Sequence, residues 1–476
     1  MDEKLADLAW PVGIAFALYV AASYALGFFV RGRVHDEEDF LVAGRRLSLP
    51  LAWATLLATW FGAGTMLTAA DEVRNEGLRV TALEPLGPGI CLLLAGAFFA
   101  RRLWEMRLLT LSDFFARRFG PRAELLSAFI MVPGYFGWIA VQFIALAGML
   151  ELFLGLDPTL GIALIAVIGM GYTLLGGMWA VTMTDALQLS LLLAGLLILG
   201  TTVLLELGDG AGMIAGLARI GEELPPEMLD PLPTETATAF FGWASVLAIA
   251  ALGNIPGQDL LQRIFSSRSS SVARNACLFA GVAYIAFGAI PVILGLSAGI
   301  LLPESRDQAI VPALAGAFLS PPLAIVFTVA LASAVLSTID SAILAPASVI
   351  AQNILPRFVR GPTPLARSRA AVVGVTAASL GVAYIGEDAY TLLEAAYELG
   401  LVGLFVPLAI GLYRRPGSEM PALLSMGVGV TLWLVHLGLG WEAFLQPMLA
   451  PAEIPISLSL VTINVVLYLL ADRTTA

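Results

Sequence analysis

Thirteen apolar runs recur along this chain, each of a length that a lipid bilayer can hold as a helix. They lie at roughly 8–30, 48–70, 80–103, 124–153, 157–176, 178–206, 240–266, 272–299, 322–355, 368–386, 389–413, 419–440 and 453–472. A hydrocarbon core of ~30 Å takes about 20 helical residues. Within it every backbone N–H and C=O must be bonded internally, so runs of this kind become helices. The expected fold class is therefore an all-α polytopic membrane protein with about 13 transmembrane helices. Composition agrees, at 59% hydrophobic and 13% charged residues, where a soluble domain has about half and one quarter. The first run follows MDEK without a small-residue cleavage site and reads as a retained helix, not a signal peptide. Cys91 and Cys277 both sit in apolar runs, and His35 and His436 are far apart, so neither a disulfide framework nor a metal motif is suggested.

Charge sets the expected orientation. Lys4, Arg74, Arg79, Arg219 and Arg306 fall in one alternating set of loops; the other 20 of the 25 Lys and Arg, Arg263 and Arg415 among them, fall in the opposite set. That places the N-terminus outside and the C-terminus inside. The net charge of −11 says little about partners in such a chain. The segments 207–239 (outer) and 104–123 (inner) are long enough for short helices of their own.

The ninth run is the most informative. Val329–Ile354 has the length of a membrane helix, yet Ser333, Ser337, Thr338, Asp340 and Ser341 stand in its middle. A carboxylate at that depth is costly and marks an ion or substrate path. Ser337, Asp340 and Ser341 share one helix face, and their oxygens are hard ligands suited to a cation such as Na⁺. The plainer alternative has the hydroxyls bonded back to their own helix and packed against a neighbour. Two other runs are interrupted at matching places. One reads Ala58-Thr-Trp-Phe-Gly-Ala-Gly64, the other Ala251-Leu-Gly-Asn-Ile-Pro-Gly257. Broken helices are tolerated in membranes where the freed backbone is buried or lines a cavity. Paired breaks in two halves of a chain point to a transporter binding site; close helix packing is the competing use of such glycines. If runs 2–6 and 7–11 are two five-helix repeats, each break falls in the first helix of its repeat, and the odd number inverts the second. The expected division is then 1–47 as an extra helix and inner linker, 48–206 as the first repeat, 207–239 as an outer loop, 240–413 as the inverted repeat, and 414–476 as two further helices.

Four segments carry a resemblance to a known family. They are Asp39-Phe-Leu-Val-Ala-Gly-Arg-Arg46, Leu109-Thr-Leu-Ser-Asp-Phe-Phe-Ala-Arg-Arg-Phe-Gly120, the set Gly176-Gly177, Val181, Thr184-Asp185 and Gln188, and the hydroxyl-rich run. In this order and spacing they resemble the solute:sodium symporter family, from about residue 39 to 415. The resemblance implies an inverted five-helix-repeat (LeuT-like) core. It implies a sodium ion held by the carbonyls of Ala58 and Phe61 at the first break, the carbonyl of Ala334, and the hydroxyls of Ser337 and Thr338. Some members hold a second sodium, which would place Asp185 with Ser337, Asp340 and Ser341. Many members have Ser where this chain has Asp340, and two neighbouring carboxylates can either hold a cation or share a proton.

Within the family the motifs are most similar to the high-affinity choline transporter branch, which holds its solute in a cage of aromatic rings. Trp60 and Trp138 fall on two cage positions; Pro88 and Gly257 stand where that branch has Tyr and Trp. Gly62, Asn254, Gly257 and Gln258, at the two breaks, complete the expected solute-binding set. The implied function is sodium-coupled import of a small organic solute by alternating access, the solute being an amino-acid-like zwitterion or a quaternary ammonium compound such as betaine or choline. A transporter-like sensor is the alternative; it would carry a long soluble C-terminal region, and only a short tail follows Leu470. An enzyme needs a nucleophile–base set or metal cluster that two unmatched histidines do not provide, and a channel needs charged rings or a filter loop. The expected partners are the solute, sodium as coupling ion and the bilayer of the plasma membrane, with no other cofactor and no nucleic acid.

Overall fold

In the computed structural model the described residues are 3–303, 309–385, 397–414, 417–449 and 453–475. They form a helical bundle. In chain order the main helices are α1 (Glu3–Val30), α2 (Leu49–Trp60), α3 (Ala69–Glu76), α4 (Leu86–Leu94), α5 (Pro121–Leu154), α6 (Pro158–Leu207), α7 (Ala237–Gly253), α8 (Gln258–Ser266), α9 (Ser270–Leu301), α10 (Pro321–Val349), α11 (Pro364–Ile385), α12 (Tyr397–Tyr413), α13 (Met420–Leu439) and α14 (Ile456–Thr475). Ten helical stretches among the described residues are long and apolar enough to cross a membrane, and α2 and α12 are shorter apolar helices. The first residues of the eleventh expected run, 389–396, and the side chains of Arg306 and Arg415 lie outside the described residues.

Both interruptions are breaks. The first helix ends at Trp60, Phe61 leaves the helical region (φ −79°, ψ 59°), and a π-turn over Gly64–Thr68 resumes the path into α3. The second ends at Gly253 and restarts at Gln258. A third break divides α6 at Gly177, whose φ of 51° and ψ of −139° are open to glycine at little cost. It falls between the fifth and sixth expected runs. The 50 residues of α6 would otherwise make a rod of about 75 Å, far longer than a bilayer core is thick. The two long loops do contain short helices, at Met213–Glu223 and Leu111–Arg118.

Packing follows from hydrophobicity all round a helix, which marks a central element. Every residue of α10 from Ala330 to Val349 is buried. It packs against α6, α5 and α1, and against α2 and α8 beside the breaks. The outer helices expose large apolar side chains instead, for example Trp10, Leu18 and Phe29 on α1, as lipid-facing surfaces do. Arg263 departs from its expected role as an interfacial charge: it is fully buried within α8.

Candidate functional site

The first break is seated on α10 through Gly62. A β-carbon added there would lie 2.7 Å from the Thr338 Oγ1 and 2.8 Å from the Gln142 Oε1, so only glycine lets the break come this close. In a continuous helix the Ala63 N–H would donate to Thr59; here it donates to the Gln142 Oε1 at 2.9 Å. Thr338 in turn donates to the Ala334 carbonyl at 3.3 Å. Gly62, Ala334 and Thr338 therefore adjoin, and Ala58 and Phe61, both buried, flank the break. Ser337 is turned to the neighbouring helix, where its hydroxyl donates to the Asp185 Oδ1. Its lone pairs stay available, because a hydroxyl donates once and accepts twice.

Asp185, Ser337, Asp340 and Ser341 come together as one fully buried cluster. Thr55 donates to the other Asp185 oxygen. Ser341 donates to the Asp340 Oδ1 at 3.3 Å and receives the Thr59 hydroxyl at 3.3 Å. The Asp340 Oδ2 is buried with no hydrogen-bond partner within 3.5 Å among the described residues. A guanidinium stands among these acids: Arg263 donates to the Ser341 Oγ at 2.5 Å and to the Asp259 carbonyl at 2.9 Å. It is within electrostatic reach of Asp185 and Asp340. The two carboxylates thus have one resident counter-charge, and buried charge without pairing is costly.

A cavity opens between α5, the second break and α12. It holds about 450 Å³ of atom-free space, mouth included, and Trp138, Asn254 and Gly257 are in its wall together with Tyr135, Asp259 and Tyr397. Trp60, Gly62 and Gln258 are not among its lining residues. Trp60 stands behind the wall, where its indole N–H donates to the Asp259 Oδ2 at 2.5 Å. Gln258 ties the second break to the Leu111–Arg118 region instead: it accepts from the Leu111 N–H at 2.8 Å and donates to the Leu109 carbonyl at 3.2 Å and the Ser348 hydroxyl at 3.0 Å.

Sequence reasoning passed over a further polar group. Glu84, buried in an apolar run, accepts from Thr65 at 2.8 Å, from Tyr284 at 2.9 Å and from Tyr397 at 3.3 Å. Tyr284 also lies 2.9 Å from the Trp60 carbonyl, so this group clasps the end of α2. The rule that singled out Asp340, a carboxylate within a membrane-length run, applies equally to Glu84 and Asp259. Among the described residues no group of three or more His, Cys, Asp and Glu is arranged to hold a metal ion. The oxygen chemistry beside the first break, carbonyl and hydroxyl, suits a weakly held hard cation.

A sequence profile of the sodium:solute symporter family matches residues 40–393, and the chain belongs to that family. High-affinity choline transporter 1 of Caenorhabditis elegans is 26% identical over 84% of this chain and 71% of its own length. The Homo sapiens high affinity choline transporter 1 is 28% identical over 67% of this chain, which spans 56% of that protein's length. Among solved structures, a substrate-bound outward-open state of a Na⁺-coupled sialic acid symporter superposes with a TM-score of 0.76 at 17% identity, covering 98% of this chain and 97% of the other. The fold is thus the inverted-repeat, LeuT-like core expected from the sequence.

Proposed function

We propose that this chain is a sodium-coupled symporter that imports a small organic solute bearing a cationic group, by alternating access across the plasma membrane. The observation that carries the reading is the pairing at the first break. Gly62 brings the freed backbone against Thr338 and Ala334, and Trp60, at the end of the same helix, bonds Asp259 in the wall of an aromatic-lined cavity at the second break. In this reading sodium is held by the carbonyls of Ala58, Phe61 and Ala334 and the hydroxyls of Ser337 and Thr338. Asp185, Asp340 and Ser341 form the candidate second cation or proton site. The chain crosses the membrane thirteen times with its N-terminus outside, and 48–206 and 240–413 are the repeats.

Sodium at this position ties α10 to the broken helix and favours the state that accepts solute. A ligand shifts two states only by its different affinity for them. Solute then closes the outer gate and sodium leaves inward, driven by about 2.3 kcal/mol per charge per 100 mV of membrane potential.

Trp138 lines the cavity beside Tyr135, the ring centroids 5.9 Å apart. A desolvated Trp face holds a cation by about 2 kcal/mol. Trp138→Leu is therefore expected to weaken solute affinity by roughly tenfold or more with sodium affinity unchanged. Uptake of amines, betaines, amino acids and carboxylates into proteoliposomes, with and without a sodium gradient, checks both the coupling and the solute class. A best substrate that is purely anionic and indifferent to Trp138→Leu contradicts this assignment.

A further inference from the structure

Asp259 is the only Asp, Glu, Lys, Arg or His among the described lining residues of the cavity. It is held in place from behind. Its Oδ2 accepts the Trp60 indole N–H at 2.5 Å, its Oδ1 accepts the Tyr135 hydroxyl at 2.6 Å, and its own N–H donates back to that hydroxyl at 3.1 Å. A carboxylate offers about four lone-pair positions, and these two side-chain bonds leave about two of them free.

Gly257 decides what those positions face. A β-carbon at 257 would lie 2.8 Å from the Asp259 Oδ1, so any side chain there would cover the carboxylate edge. Glycine leaves that edge in the cavity wall. The rest of the wall is mostly aromatic and aliphatic, with Trp138, Tyr397, Ile130 and Leu404, and its one side-chain amide, Asn254, donates to the Ala250 carbonyl at 2.9 Å. No Lys, Arg or His is among its described residues, so a ligand carboxylate would meet Asp259 with no balancing charge. The Asp259 N–H, at the start of α8, is already used by the Tyr135 hydroxyl.

We infer that the solute is a small ammonium ion carrying at least one N–H, held by a charge-assisted hydrogen bond to Asp259 and packed on Trp138, in preference to a quaternary ammonium or a zwitterion. This rests on the reading of the cavity as the solute site and narrows its solute class. A charge-assisted hydrogen bond is roughly twice as strong as a neutral one. A quaternary ammonium carries the same charge without a donor, so it must leave the Asp259 oxygens partly unsatisfied on desolvation.

The test uses purified full-length protein in nanodiscs with saturating Na⁺, titrated calorimetrically at pH 7. The probes are ethanolamine, N-methylethanolamine, N,N-dimethylethanolamine and choline, which share one charge and lose N–H groups in steps. Affinity is expected to fall along the series, with choline at least tenfold weaker than ethanolamine. Asp259→Asn should weaken ethanolamine by tenfold or more and flatten the series. Gly257→Trp combined with Asp259→Ala, which replaces the carboxylate by a ring, should reverse the order. Choline binding as tightly as ethanolamine to the wild type overturns the inference, as does an unchanged series in Asp259→Asn. If that variant does not fold, the wild-type series decides alone. If none of the four binds while another solute shows sodium-driven uptake, the ammonium assignment fails and the symport reading stands. If the series behaves as expected but no sodium gradient drives uptake, the solute site stands and the coupling fails.

Discussion

Gly62→Val is expected to abolish sodium-driven uptake. The added branch would start from a β-carbon 2.7 Å from the Thr338 Oγ1 and 2.8 Å from the Gln142 Oε1. Thr338 cannot yield cheaply, because its side chain is branched at the β-carbon and its helix is buried throughout this stretch. Gln142 is anchored by the Ala63 N–H. The break must therefore move off α10, and the carbonyls on one side part from the hydroxyls on the other, the two halves of the proposed sodium site. Uptake in proteoliposomes should fall at least a hundredfold, while Gly62→Ala keeps a small residue of activity. Size-exclusion profiles and helicity like the wild type separate loss of function from loss of fold. Near-normal uptake by Gly62→Val would mean that the break and α10 need not touch during transport.

The second large effect is expected on stability. Arg263→Met removes the guanidinium that stands by Asp185 and Asp340 and bonds Ser341 at 2.5 Å. Among the described residues no salt bridge within 4 Å joins this guanidinium to either carboxyl group, so its loss acts through the Ser341 bond and the longer-range attraction and should cost about 1–3 kcal/mol. Thermal scans of the purified protein should show a midpoint lowered by several degrees. Arg263→Met combined with Asp340→Asn removes one charge of each sign and should recover much of the loss. Equal destabilisation in the single and double variants would show that Arg263 acts through packing or its bond to Ser341, and not through the carboxylates. Because the Asp340 Oδ2 makes no hydrogen bond within 3.5 Å among the described residues, with the Tyr172 hydroxyl acting on this carboxyl group, high sodium should protect the wild type further if this cluster takes a cation.

The contrast between these residues shows what a linear reading reaches. The two breaks were legible as clusters of Gly, joined by Pro in the second, at matching places in two halves of the chain; a single Pro inside a run, such as Pro133 in α5, leaves its helix continuous. Asp340, Ser337 and Ser341 were legible because a helix has a fixed period and puts i, i+3 and i+4 on one face. Asp185 was reached through a motif, and the structure brings it to Ser337 as that motif implied. Arg263 was misjudged because its place near the end of a run looks the same whether the side chain reaches the interface or turns inward; only its contacts with Ser341 and the Asp259 carbonyl decide. Trp60 shows the same limit. Its position in the break was clear, but whether the ring faces the cavity or backs a carboxylate depends on Asp259, 199 residues away. Gln258 sits at a break, yet its bonds run to Leu109, Leu111 and Ser348, partners no local pattern could name.

The central claim is that sodium binds between the first break and α10 and drives solute inward. Its most direct measurement is the sodium titration of solute uptake for wild type and Thr338→Ala, at fixed solute and membrane potential. Thr338→Ala removes one oxygen of the proposed site and leaves alanine, a strong helix former, in its place. The expected result is sodium-dependent uptake in the wild type, and a half-saturating sodium concentration raised by tenfold or more in the variant, with the protein still folded in the membrane. Uptake independent of sodium, or a Thr338→Ala curve that overlies the wild type, would contradict it.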